Sequence, residues 1–235
     1  MGAAVCAGCF VFDDRHLPDT NASDASLEAA REAGPLGAVS FESKSFASSD
    51  RNTIDLPVPA NAKVGDVFIA AFLVDTAGST ADAAGWTRLS DCKQSERDYH
   101  AFFFFRVADG TEKDKFSFAI TSSHLSTTGV LTNYRGVDTT RIHGECAARS
   151  PASSFASDAL TLESVPSTVV MTFTNDIGCN PWGSSSTLKE RVVSDDRLIF
   201  SGDVEATTKN VPATTVECDA KNGAAVVNTV ALYAK

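Results

Sequence analysis

Histidine is the side chain that most often transfers protons or binds metals near neutral pH, so the four histidines are the first candidates for chemistry. They are His16, His100, His124 and His143. No two of them stand at the spacing of metal ligands, and the HExxH motif of zinc proteases is missing. A single histidine at the flank of a predicted strand is usually a surface residue or a satisfied core residue. We therefore expect no histidine-based metal site.

Motifs for nucleotide binding and nucleophilic catalysis are also missing. The sequence has no P-loop, no GxGxxG fingerprint and no GxSxG elbow of the α/β-hydrolases. A Ser-His-Asp triad can assemble from distant positions, but nothing in the sequence favours one. These observations predict a protein without a cofactor and without an enzymatic activity.

Six cysteines are present, and two of them, Cys6 and Cys9, form a single CxxC pair. A zinc ribbon needs a second such pair, and a thioredoxin-type motif needs a βαβ context that the sequence lacks. The chain is long enough to bury a core without cross-links. We interpret the cysteines as buried thiols or as thiols of the N-terminal segment, with a metal or redox role as the alternative.

Acidic residues are abundant, so pairs of them carry little information about glycoside hydrolysis. There are thirty Asp and Glu residues, and neither Asp13-Asp14 nor Asp195-Asp196 has the DxDxDG spacing of a calcium loop. The formal net charge is −10, and such a surface repels phosphate backbones. We expect no nucleic acid as a partner. No apolar run approaches the ~20 residues of a spanning helix, so we expect no membrane contact either.

Two loops are the candidates for ligand or partner contact. Trp182 lies in the stretch NPWGSSS, where an exposed ring could stack on a sugar or dock a partner, and Asn180 precedes it. A tryptophan folded back onto the end of the sandwich explains the same stretch equally well. The other loop, 75–85, is rich in Ala, Gly, Asp and Thr and offers Asp75, Thr80 and Asp82.

The first 38 residues differ in composition from the rest and are interpreted as an N-terminal arm. They contain one short helical candidate, Asp24 to Ala33, which Gly34-Pro35 would end. The remainder offers little to bury, so a neighbouring subunit would have to receive it. The residues that could anchor such an arm are apolar or thiol side chains near its start: Cys6, Cys9, Phe10 and Phe12.

Residues 39–235 are interpreted as one β-sandwich domain. Tyr99 to Val107 contains four consecutive phenylalanines and is apolar on both faces in its middle, with His100 and Arg106 where the strand reaches water. Val67 to Val74 is also apolar on both faces, so the two segments are predicted as central strands. Further short strands follow at intervals of about 8–12 residues with turn signals between them. This spacing predicts an all-β fold, an antiparallel, jelly-roll-like sandwich.

Several segments resemble a family of β-sandwich proteins that is common in tailed bacteriophages and prophages. The segments are GDVFIAAFLV, GWTRLS, YHAFFFFRVADGTEKDKFSFAIT and TGVLTNYRGVD, followed by the C-terminal strand VNTVAL. The resemblance covers residues 39–235. One departure is the loop TAGSTADAAGW, which is proline-rich in that family and is where a binding preference would vary.

The resemblance implies a structural protein of a virion, most of all a capsid decoration or cement protein that is anchored through residues 1–38. Its partners would be the major capsid or tail proteins, and it would form a homo-oligomer. Its location would be the virion, assembled in the cytoplasm of the bacterial host. The alternative is a tail or fibre adaptor, or a module that binds a cell-surface glycan through the loops at the end of the sandwich.

Overall fold

The structure is a computed structural model that describes residues 37–121, 126–184, 187–219 and 223–235. Within these ranges the fold is all-β and every strand pairing is antiparallel, which confirms the predicted fold class. No helix in these ranges is long and apolar enough to cross a membrane. Residues 37–235 form one compact unit. The predicted arm helix, Asp24 to Ala33, lies outside the described residues.

The first half of the compact unit contains eight strands. They are β1 (Ser40–Ser49), β2 (Thr53–Pro57), β3 (Val67–Val74), β4 (Thr80–Asp82), β5 (Thr87–Gln94), β6 (Tyr99–Val107), β7 (Lys115–Thr121) and β8 (Thr127–Arg135). A large sheet has the order β1-β8-β3-β6-β5, and a small sheet has the order β2-β7-β4. The first strand lies beside the last, and the third lies between the sixth and the eighth, as in a jelly roll.

The second half contains ten strands. They are β9 (Val137–Ala152), β10 (Ser154–Ala156), β11 (Leu160–Thr161), β12 (Ser167–Asn175), β13 (Trp182–Ser184), β14 (Lys189–Val193), β15 (Ile199–Ala206), β16 (Asn210–Val211), β17 (Thr215–Cys218) and β18 (Gly223–Ala234). The large sheet has the order β14-β15-β12-β18-β9, and a small sheet has the order β10-β17-β13. If β11 and β16, which pair with each other, are set aside, the strand order repeats that of the first half.

The two halves are therefore two jelly rolls of the same topology that pack through their large sheets. Edge strand β5 lies against β9, and edge strand β1 lies against β14. When the strands of the two halves are matched in chain order, β5 corresponds to β14 and β1 corresponds to β9. The contact between β5 and β9 then corresponds to the contact between β14 and β1, so a pseudo-twofold axis that runs along the strands relates the two halves. The sequence prediction had one sandwich here and did not identify this internal duplication.

Three apolar layers hold the four sheet layers together. The first lies between the small and large sheets of the first half and includes Phe72, Phe102 and Phe118. The second lies between the two large sheets and includes Phe103. The third covers the outer face of the second large sheet and includes Phe173. The four phenylalanines of β6 thus serve two layers, with Phe102 and Phe104 facing outward and Phe103 and Phe105 facing the second jelly roll.

The two strands that were predicted as central have the predicted bounds, and both lie inside the first large sheet. One detail of β6 is wrong in the prediction: His100 is buried rather than at the solvent boundary. The long edge strand β9 was not predicted, because its sequence is polar and half-exposed along most of its length.

Four of the cysteines form disulfides, which corrects the interpretation of buried thiols. Cys92 on β5 is bonded to Cys146 on β9, and Cys179 before β13 is bonded to Cys218 on β17. The Cα–Cα distances are 6.1 Å and 5.0 Å, within the usual range for disulfides. The first bond joins the two jelly rolls, and the second joins elements within the second one. Cys6 and Cys9 lie outside the described residues.

Candidate functional site

The two loops that were predicted to contact a ligand lie at the same end of the two packed jelly rolls. Loop 75–79 follows β3, and loop 176–181 follows β12. Tyr99 lies next to the end of β3, and its hydroxyl is 3.3 Å from the main-chain oxygen of Thr174 near the end of β12. Arg97 forms an ion pair of 3.6 Å with Asp176 across the two halves. This end of the molecule therefore presents loops from both jelly rolls.

Four of the predicted contact residues are exposed at these loops or at the strands that follow them: Asp75, Thr80, Asp82 and Asn180. Asp82 forms an ion pair of 3.5 Å with Arg88, and the main-chain N–H of Asn180 donates to Asp219 Oδ1 at 2.6 Å. The first three belong to the first jelly roll and Asn180 to the second.

Trp182 does not stand exposed at a loop tip. It begins strand β13, its side chain packs 5.9 Å from the ring of Phe200, and the residue is 7% exposed. Its indole N–H donates to the main-chain oxygen of Arg197 at 2.8 Å. The satisfied N–H and the buried ring are those of a core residue, which is the alternative that the sequence left open. The candidate arm anchors Cys6, Cys9, Phe10 and Phe12 lie outside the described residues.

The two histidines within the described ranges have local partners. His100 lies with Nδ1 3.0 Å from the main-chain oxygen of Ser79 and Nε2 3.1 Å from Asp91 Oδ1, and its ring stacks on Phe102. The arrangement resembles part of a catalytic triad, but the contact to Ser79 is through the main-chain oxygen and the ring is buried. His143 lies 3.1 Å from Glu145 at the surface. His16 and His124 lie outside the described residues.

Charged side chains meet in the interface between the jelly rolls. Arg191 donates through Nε and Nη2 to the two carboxylate oxygens of Asp203, at 2.6 Å and 3.0 Å. The guanidinium also lies 4.6 Å from the ring centre of Phe41 on β1. A bidentate pair of this kind satisfies a buried carboxylate and fixes its orientation. Of these contacts, the one between Arg191 and Phe41 joins β14 to β1, and the opposite edge is joined by the disulfide Cys92–Cys146.

The glycine-aspartate and tyrosine-arginine-glycine segments of the sequence meet at the other end of the first jelly roll. Buried Asp66 accepts hydrogen bonds from Arg135 Nε at 2.9 Å and from Arg135 Nη2 at 2.8 Å. Burial opposes ionisation of Asp66, but the bonds from Arg135, Lys63 N–H and Asn133 hold the pKa of its carboxyl below the usual value. These motif residues therefore have structural contacts that close the end of the sheet.

A cavity that the sequence analysis did not identify lies on the outer face of the second large sheet. Its volume is about 140 Å³. Three stretches that are distant in sequence form it: His143 and Glu145 on β9, residues 158–163 around β11, and residues 227–233 on β18. None of these stretches contains a recognisable motif, so neither the hydrophobic periodicity nor the residue spacing of the sequence could predict the cavity.

Among the described residues, no group of three or more His, Cys, Asp or Glu side chains is arranged to hold a metal ion. Comparison of the chain with models of protein families, with curated proteins and with solved structures finds no match.

Proposed function

We propose that the chain is a structural protein of a tailed-phage virion, a capsid decoration or cement protein that joins the particle through residues 1–38. The observation that carries the proposal is the pair of jelly rolls that are joined face to face by the Cys92–Cys146 disulfide and by the buried hydrogen bond from Tyr134 to Asp203. Jelly rolls are a fold of viral capsid proteins. Because a fold alone does not determine function, this support is by analogy.

The disulfides favour a role outside the cytoplasm. Cys92–Cys146 and Cys179–Cys218 would stay reduced in the cytoplasm, whereas disulfides persist on virions and cell surfaces. A subunit assembled in the host cytoplasm would form these bonds after the particle is released. The cross-links would then reinforce the protein in the environment that the free particle meets.

The test is to delete residues 1–38 and to measure whether the remaining domain still sediments with the assembled particle. The domain is expected to stay folded, since residues 37–235 form a compact unit, and to be lost from the particle fraction. Near-ultraviolet circular dichroism of the free domain serves as the folding control. Incorporation equal to that of the full chain would contradict an anchoring arm.

A second candidate function, recognition of a cell-surface glycan or receptor by the end loops, is favoured by one observation. Asp75, Thr80 and Asn180 are exposed at the end of the molecule where both jelly rolls present loops, whereas Asp82 lies at the far end of β4. On a glycan array, Asp75→Ala with Asn180→Ala should abolish binding. Lys113→Ala, an exposed change in the loop after β6 at the opposite end, should leave it intact.

A further inference from the structure

The cavity on the second jelly roll has an apolar floor and polar walls. Val227, Thr229 and Ala231 of β18 form the floor. On one wall the His143 and Glu145 side chains project from β9, and on the other Leu160 and Thr161 belong to β11. One end is closed where the Tyr233 hydroxyl accepts a hydrogen bond of 3.2 Å from the main-chain N–H of Glu163.

The corresponding place in the first jelly roll is closed by hydrogen bonds. In the first jelly roll, β1 is the strand that corresponds to β9. On this strand, Ser45 Oγ donates a hydrogen bond of 2.5 Å to the main-chain oxygen of Pro57. Ser43 Oγ donates in the same way to the main-chain oxygen of Ala60. In the second jelly roll the outward residues of the matching strand, His143 and Glu145, bond to each other instead. The opposite segment stands away from them, and the space between is the cavity.

Two of the carboxylates around the cavity already have partners in the protein. Glu145 lies 3.1 Å from His143 Nε2, and Asp158 forms an ion pair of 2.8 Å with Arg149. Each of these carboxylates keeps lone pairs that can accept further hydrogen bonds. The hydroxyls of Thr161 and Thr229 can both donate and accept. The walls therefore offer both acceptors and donors to a ligand with many hydroxyl groups, and among the described residues no group of three His, Cys, Asp or Glu side chains is arranged for a metal ion.

We infer that this cavity binds a single sugar ring, with the C–H face of the ring on Val227 and Ala231 and its hydroxyls bonded to the carboxylates of Glu145 and Asp158. An apolar floor with a few convergent polar groups is the usual composition of a small-molecule site. The volume is about ten times the ~10–15 Å³ that a cavity needs to hold one water molecule, which leaves room for one sugar ring. None of its lining residues belongs to the end loops or to residues 1–38, and the inference requires neither proposed function.

The full chain, labelled with ¹⁵N, is titrated with methyl glycosides of hexoses and N-acetylhexosamines and followed by amide chemical shifts. Concentrations up to about 50 mM fill a site whose dissociation constant is in the millimolar range. At least one glycoside should shift the amides of Glu145, Leu160 and Thr229. Thr161→Trp fills the cavity from its exposed rim and should weaken that binding by about tenfold or more. Thr215→Trp, an exposed threonine on another outer strand of the same jelly roll, is the matched control and should bind as the unchanged chain does.

Three results would overturn the inference. One is the absence of any shift at these amides with all glycosides. Another is a shift with 1,4-diaminobutane but none with the sugars, which would identify a cation site. The third is unchanged sugar affinity in Thr161→Trp when its spectrum shows an intact fold, which would place the sugar elsewhere.

Discussion

The hydroxyl of Tyr134, in the first jelly roll, donates a hydrogen bond of 3.1 Å to Asp203 Oδ2 in the second. Both residues are buried, and Asp203 also accepts the two bonds from Arg191. The interface between the large sheets is therefore not uniformly apolar. A fixed set of donors faces this carboxylate, and a shift in how the two sheets stack would remove the bond from Tyr134, whereas the pair with Arg191 lies within the second sheet and would persist.

Removing Arg191 from its ion pair with Asp203 should destabilise the fold strongly. Arg191→Met leaves the Asp203 carboxylate buried without its bidentate partner, and we expect the free energy of unfolding to fall by about 3–5 kcal/mol. The double change Arg191→Met with Asp203→Asn should cost less than Arg191→Met alone, because no uncompensated charge remains. Urea unfolding measures both. Lys115→Met, which breaks the exposed pair with Asp55, is the control and should cost at most about 1 kcal/mol.

Alkaline pH should unfold the protein through its buried tyrosines. Burial raises the pKa of both Tyr99 and Tyr134 above the ordinary value of 10.0, and the charge of Asp203 adds to the effect on Tyr134. Above about pH 10 the two tyrosines ionise in the unfolded chain but stay protonated in the folded chain, so the unfolded chain binds fewer protons. The free energy of unfolding therefore keeps its whole value below this pH and falls as the pH rises further. Tyrosinate absorbance from these two residues should therefore appear together with the loss of near-ultraviolet circular dichroism. Tyr134→Phe should remove part of this pH dependence, and an unchanged dependence in that variant would contradict the argument.

The strands that the sequence predicted well are those whose own side chains show whether they are buried on one face or on both. Val67–Val74 is apolar at every position, and a strand of that kind is stable only with both faces covered. The internal duplication was not visible in the sequence, because Ser167–Asn175, the strand of the second half that corresponds to Val67–Val74, buries threonine and serine side chains as well as apolar ones. Its burial depends on partners far away in the chain, and six cysteines likewise allow fifteen pairings between which spacing cannot decide. The cavity is of the same kind, since it exists only after three distant stretches are brought together.

The two disulfides should protect different parts of the molecule. Each closes a loop, of 54 and 39 residues in sequence separation, and the chain-entropy account gives about 4 kcal/mol as an upper value for either. Their positions distinguish them. Replacing Cys92 and Cys146 by alanine should speed amide hydrogen exchange along β5 and β9, where the jelly rolls meet. Replacing Cys179 and Cys218 should speed it along β13 and β17. The same exchange pattern in both variants would show that the disulfides do not act locally.

Gly129 allows a close approach of two strands in the first core layer. It lies opposite Phe72 on the neighbouring strand, and a Cβ at this position would come within 2.6 Å of Phe72 Cδ1 and 3.1 Å of Ile54 Cδ1. Gly129→Ala therefore forces Phe72 out of its place against Phe118, whose ring centre is 4.3 Å away. We expect a loss of about 1–3 kcal/mol, the usual cost of overpacking, in the free energy of unfolding measured with urea. Gly78→Ala, where the nearest atom is 3.9 Å away, is the matched control and should leave the free energy almost unchanged. If Gly129→Ala costs less in a Phe72→Leu background than in the unchanged chain, the clash with the ring is the cause. An equal cost in both backgrounds would place the loss in the backbone of β8.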